Sequence, residues 1–150
     1  MFSNTLIPAL LHDHAQMREL LESVRRQGVA TAEGQRLLRR ARQFIVAHLQ
    51  REDAQLYPAL RGCGETQALA DAYANEMQEL SREILAFFDG MEGEHDELVF
   101  ARGFGKVLGA LNKRWTREEV RLYPAYDRHC RRVREAEASR RTEIPVGSQA

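Results

Sequence analysis

Two stretches of this chain carry the same chemically capable residues at the same spacing. Residues 51–60 read REDAQLYPAL and residues 117–126 read REEVRLYPAY, a repeat offset by 66 positions. His48 stands four residues before Glu52 in the first copy, and Arg114 stands four residues before Glu118 in the second. On a helix, positions i and i+4 share a face, so His48 and Glu52 are spaced to hold one cation between them. An arginine offers only donors and ligates nothing. The repeat has therefore lost a ligand in its second copy, and the function turns on what that loss leaves behind.

The elements that must position these residues are helical. Apolar residues recur at helical spacing along most of the chain, and no stretch alternates as a strand does. A first helix over residues 5–27 places Leu10, His14, Met17, Leu21 and Val24 on one stripe and ends near Gly28. A second starts at Thr31, a good N-cap, and turns Leu37, Ala41, Phe44, Ile45, His48, Glu52 and Leu56 inward. Arg61-Gly62-Cys63-Gly64 breaks it. A third opens near Thr66 and lines up Leu69, Tyr73, Met77, Leu80, Ile84 and Phe87, and residues 89–94 read as a loop. A fourth begins near Asp96 and turns Phe100, Phe104, Val107, Leu111, Arg114, Glu118 and Leu122 inward. Pro58 and Pro124 lack the amide hydrogen, so each is expected to kink or end its helix. Four such helices with short connections predict an all-α, antiparallel up-down four-helix bundle. A helical extension is expected to carry it to residue 141, followed by a disordered tail over 142–150.

The length suits one domain with a working core. Twenty-two basic residues balance twenty-two acidic ones, so no global field attracts nucleic acid or an anionic membrane. Two cysteines are too few for a disulfide framework, which points to a reduced, cytoplasmic setting. The N-terminus has no positive segment and only a short apolar run, so neither a signal peptide nor a membrane span is expected.

His14, His48, Glu52 and Glu118 lie where core residues should. A buried unpaired carboxylate is costly, so a cation or hydrogen bonds must meet each one. Two imidazoles and two carboxylates at matching depth are the raw material of a metal site. They also suit a buried polar network in which each histidine caps a carboxylate.

His14 within LLHDHAQMRELL, His48 and Glu52 within HLQREDAQLYP, and Glu118 within RWTREEVRLYP resemble the hemerythrin-like (HHE cation-binding) family. The resemblance runs from about residue 6 to residue 124. It implies a four-helix bundle whose first and third helices each give a histidine. The second and fourth would each give a His-x-x-x-Glu pair, together holding a non-haem di-iron centre. By that resemblance His14, His48, Glu52 and Glu118 are the metal ligands.

The departures fall in the second half. Met77 stands where the third helix should offer its histidine, unless a one-residue shift brings in Glu76 or, more weakly, Glu79. Arg114 takes the place of the fourth helix's histidine. Its guanidinium either reaches Glu118, and with it Glu52, in place of a second metal, or snorkels into solvent. His14, His48 and Glu52 remain as a two-His, one-carboxylate set suited to a single Fe(II), with zinc or manganese also acceptable. Nothing marks a co-substrate pocket, so the reading is of a binding protein rather than an enzyme. The family's activities include binding of dioxygen or nitric oxide, redox and iron sensing, and iron supply for cluster repair. The expectation is an iron-binding bundle with a reduced site that serves oxygen, nitric oxide or iron sensing or binding. The alternative is a metal-free regulatory or interaction bundle with a vestigial site, and no residue pattern names its partner.

The remaining candidates receive plainer readings. His12 should be exposed, His95 should lie in a loop or cap, and His129 sits beyond the ligand layer. Tyr57 and Tyr123 should either hydrogen-bond around the site or fill the bundle end. Cys63 is expected to be exposed and oxidisable, and Cys130 reactive only if accessible. The arginines from Arg128 to Arg141 read as a solvated face.

Overall fold

In the computed structural model, which describes residues 5–130 and Arg140, each inward stripe becomes one wall of a four-helix bundle. Helices α1 (Leu6–Gln27) and α2 (Ala32–Arg51) form the first pair. The second helix runs on without a break through a π-helical turn (Glu52–Leu56) into α3 (Tyr57–Arg61). Helices α4 (Gln67–Met91) and α5 (Glu97–Arg117) form the second pair. The last rod likewise continues through a π-helical turn (Glu118–Leu122), α6 (Tyr123–Ala125) and a further π-helical turn (Tyr126–Cys130). Long helices in mutual contact across connections of four or five residues must reverse direction at each one, which makes the bundle antiparallel. Among the described residues there is no strand, and no helix is long and apolar enough to cross a membrane.

Local chemistry fixes the helix ends. Thr31 Oγ1 accepts from Gly34 N at 3.0 Å, and Asp96 Oδ1 accepts from Leu98 N at 2.9 Å. Gly28 adopts φ 69°, and the Glu97 carboxylate packs against the face a Cβ would occupy. That carboxylate accepts from Val29 N and Ala30 N, which ties the first connection to the start of α5. Gln35 joins the same end to the third connection, donating to Val29 O and Met91 O and accepting from Gly93 N. The loop expected over 89–94 is shorter than the sequence implies. Helix α4 continues to Met91, whose side chain packs against the core, and Arg42 anchors Asp89 at 2.8 Å.

The prolines do not end their helices. Tyr57 N donates to Glu52 O and Tyr123 N to Glu118 O, both five residues back, so the turn before each proline is widened. Pro58 and Pro124 then enter the first turn of α3 and α6, where a missing amide hydrogen costs little. A widened turn absorbs what a regular α-turn would meet as a clash.

The core is divided. One apolar cluster, built around Leu10, Leu56, Leu60, Tyr73 and Leu122, fills the end that holds both Leu-Tyr-Pro segments. A second, built around Met17, Ile45, Met77, Leu111 and Trp115, fills the rest. Between them lies a layer of buried polar side chains: Asp13, His14, His48, Glu52, Arg114 and Glu118. Arg140 apart, the expected C-terminal extension beyond Cys130 and the tail over 142–150 lie outside the described residues.

Candidate metal centre

Three rods converge on the polar layer. Helix α1 contributes His14 one turn below Leu10, and α2 contributes His48 in its last turn. Glu52 and Glu118 are the first residues of the two π-helical turns. His14, His48 and Glu118 each aim one ligand-type atom inward, and these atoms lie within 4.8 Å of one another. The two Nε2 atoms stand 3.2 Å apart. His14 Nε2 is 3.1 Å from Glu118 Oε1, and His48 Nε2 is 2.9 Å from Glu52 Oε1. All four residues named from the sequence are thus brought into one buried layer, with Glu52 joined to the triad through His48.

The outer nitrogens of both imidazoles are held by residues the sequence reading missed. His48 Nδ1 donates to Asp13 Oδ2 at 3.0 Å, and Arg51 donates to the same oxygen at 3.1 Å. His14 Nδ1 meets Glu119 Oε1 at 3.0 Å, and Arg18 grips that carboxylate at 2.9 and 3.3 Å. Each relay leaves Nε2 free to face inward, the arrangement by which carboxylates orient ligating histidines. Trp115 and Tyr123 both stack against the His14 ring, with centroids 5.4 and 5.5 Å away. The Tyr123 hydroxyl is 3.1 Å from His14 Nε2 and donates to Glu118 at 3.4 Å.

The other half of the layer is built around a cation of the protein's own. Arg114 is 2% exposed, so its charge does not snorkel into solvent. Its Nε donates to Glu118 Oε2 at 3.3 Å, and Nη2 donates to Tyr57 OH at 3.2 Å and Tyr73 O at 2.8 Å. The guanidinium lies 4.5 Å over the Tyr73 ring. Among the described residues Arg114 pairs with Glu118, Tyr57, Tyr73 and Glu76 and not with Glu52. Glu76 sits at the rim, paired with Arg117, with Arg114 Nη1 3.6 Å away. Met77 faces the second apolar cluster, so α4 presents Met77 rather than Glu76 or the exposed Glu79 to the interior.

These partners polarise the titratable groups. Burial, aided by the Glu118 charge, pushes Glu52 up to about 7. Burial acts on Glu118 in the same sense, but His14 and Arg114 outweigh it and hold that carboxyl below the usual range. Burial opposes charge on His48, yet hydrogen bonds to Asp13 and Glu52 push it up to about 9. Asp13 and Glu119 are held low against burial, the first chiefly by His48 and the second by Arg18 and His14. Burial drives both phenols, Tyr57 and Tyr123, upward.

The donor set fits one cation. Two imidazole nitrogens and a carboxylate oxygen converge, and Glu52 Oε2 is buried without a hydrogen-bond partner. It does not fit two, because the matching donor position in the second half carries Arg114 and its neighbour on α4 is Met77.

The cysteines fall outside this chemistry. Cys63, expected at the surface, is 8% exposed and donates to His129 O, while Cys130 is fully buried against Thr66 Oγ1 at 3.4 Å. The burial comes from the last π-helical turn folding over the second connection, a contact between segments far apart in sequence. His12 and His95 are exposed and His129 half-buried, none of them in the layer.

Fold and site together define an all-α bundle with a buried His/Glu cluster of the kind that holds a cation. The family model of the hemerythrin HHE cation binding domain matches residues 5–126, and the chain belongs to that family. No curated protein and no solved structure matches it significantly.

Proposed function

We propose that this protein binds a single non-haem metal ion, iron foremost, through His14, His48, Glu118 and Glu52. In this reading it serves oxygen, nitric oxide or iron sensing or binding rather than catalysis. The convergence of the two Nε2 atoms and the Glu118 carboxylate within 4.8 Å carries the reading. A bound ferrous ion would supply an open coordination position and a one-electron couple. The chain's part is to hold both rings by their outer nitrogens, exclude water with apolar clusters on either side, and fill the second-ion position with Arg114. Anaerobic addition of Fe(II) should raise the melting temperature, and a chelator should reverse the gain. His48→Ala should abolish the response. A wild-type melting temperature indifferent to both treatments would refute the reading.

One observation favours a second reading, a metal-free regulatory bundle. The layer also closes on itself through His48–Glu52, His14–Glu118 and Arg114–Glu118 pairs. In that case iron and chelator leave the melting temperature unchanged while Arg114 remains essential to the fold.

A further inference from the structure

Charges around the centre are unevenly matched. Around the inward-facing His, Glu and Arg114 groups each flanking carboxylate has its own arginine: Asp13 has Arg51 at 3.1 Å, Glu119 has Arg18 at 2.9 Å, and Glu76 has Arg117. These pairs cancel locally. Inside, with His48 neutral as metal ligation requires and both carboxylates ionised, Glu52 and Glu118 are set against the single cation of Arg114, and the interior carries one net negative charge. Two apolar clusters seal it from above and below, so a residual charge there is poorly screened.

We infer that Arg114 sets the charge of the ion this centre accepts, selecting a divalent over a trivalent metal and holding bound iron in the ferrous state. This rests on the single-ion reading and specifies it. A divalent ion leaves the interior with one net positive charge and a trivalent ion leaves two; a neutral residue at 114 lowers each by one. The guanidinium cannot swing aside, because Glu118, the Tyr57 hydroxyl, the Tyr73 carbonyl and the Tyr73 ring hold it together. Glu118 acts in the same direction. Its Oε1 faces His14 and its Oε2 is engaged by Arg114, so part of its charge is already committed when an ion arrives. A harder, more highly charged ion loses more from that sharing.

The test has two arms. Calorimetric titration with Zn²⁺, which has no redox chemistry, shows whether the site takes a divalent ion at all. One ion per chain in the wild type supports the reading beneath the inference; no binding of Zn²⁺ or Fe²⁺ overturns both. The second arm measures the one-electron Fe(III)/Fe(II) midpoint in the iron-loaded protein by mediated spectroelectrochemistry, with the electrode supplying the electron. Arg114→Gln should favour Fe(III) by at least about tenfold, a fall of about 59 mV for a one-electron couple. Arg114→Lys, which keeps the charge, should stay within about threefold of the wild type. An unchanged or higher midpoint in Arg114→Gln, or a fall of equal size in Arg114→Lys, overturns the inference while leaving the divalent site standing. Should Arg114→Gln fail to fold, competition on the wild type decides. Retention of Zn²⁺ against equimolar Ga³⁺ supplied as its citrate supports the inference, and displacement overturns it.

Discussion

The two halves of the polar layer start from the same repeat and end in opposite chemistry. In the first, His48 at i and Glu52 at i+4 lie 2.9 Å apart, and His14 joins them from α1. In the second, Arg114 at i and Glu118 at i+4 lie 3.3 Å apart, and α4 offers the carbonyl and ring of Tyr73, Glu76 at the rim and the side chain of Met77 in place of an imidazole. The backbone frame is the same in both, down to the widened turn and the proline. Arg114 at position i puts a cation of the protein's own where the first half has the imidazole of His48. Tyr57 and Tyr123 follow their halves: Tyr57 accepts from Arg114, and Tyr123 serves His14 and Glu118.

The comparison breaks most readily at Arg114. Arg114→Leu leaves Glu118 Oε2 buried without its guanidinium donor and should destabilise the metal-free protein by about 3–5 kcal/mol in urea unfolding. A loss below about 1 kcal/mol would mean the guanidinium does little for the second half. Next come the relays of the first half. Asp13→Asn and Glu119→Gln should each weaken Zn²⁺ binding by about 10–100-fold with little change in the far-ultraviolet spectrum. Equal affinity in both variants would reduce the relays to surface ion pairs.

Smaller effects sharpen the division. Tyr57→Phe removes an acceptor from Arg114 and should cost about 1 kcal/mol of stability in the metal-free state without altering ion stoichiometry. Tyr123→Phe, at the matching place, should instead perturb ion binding, because its hydroxyl touches His14 and Glu118. Glu76→Gln is expected to do least, about 0.5 kcal/mol or less, since the Arg117 pair at the rim is largely solvated. Chemical denaturation of the three variants side by side ranks them.

Much of this was legible in the residues. The stripes of α1, α2 and α5 follow from helical spacing alone, and that spacing placed His14, His48, Glu52 and Glu118 at one depth. What escaped depends on contacts between helices. Asp13 adjoins His14 in the chain but serves His48, and Glu119 adjoins Glu118 but serves His14. A single helix's periodicity carries no record of such crossings; the acid beside each site residue was the only signal. The prolines were expected to kink or end their helices; the chain runs on instead through a π-helical turn before each, a local remedy that residue propensities do not announce. Cys63 sits in a Gly-flanked loop that looks exposed until the distant 126–130 segment covers it.

The central claim is that this bundle holds one ion where its repeat suggests two. Elemental analysis by inductively coupled plasma mass spectrometry, on protein purified without a metal-affinity tag and loaded anaerobically with iron, tests it most directly. The account predicts about one iron per chain; two irons per chain would contradict it and require Arg114 to leave the layer.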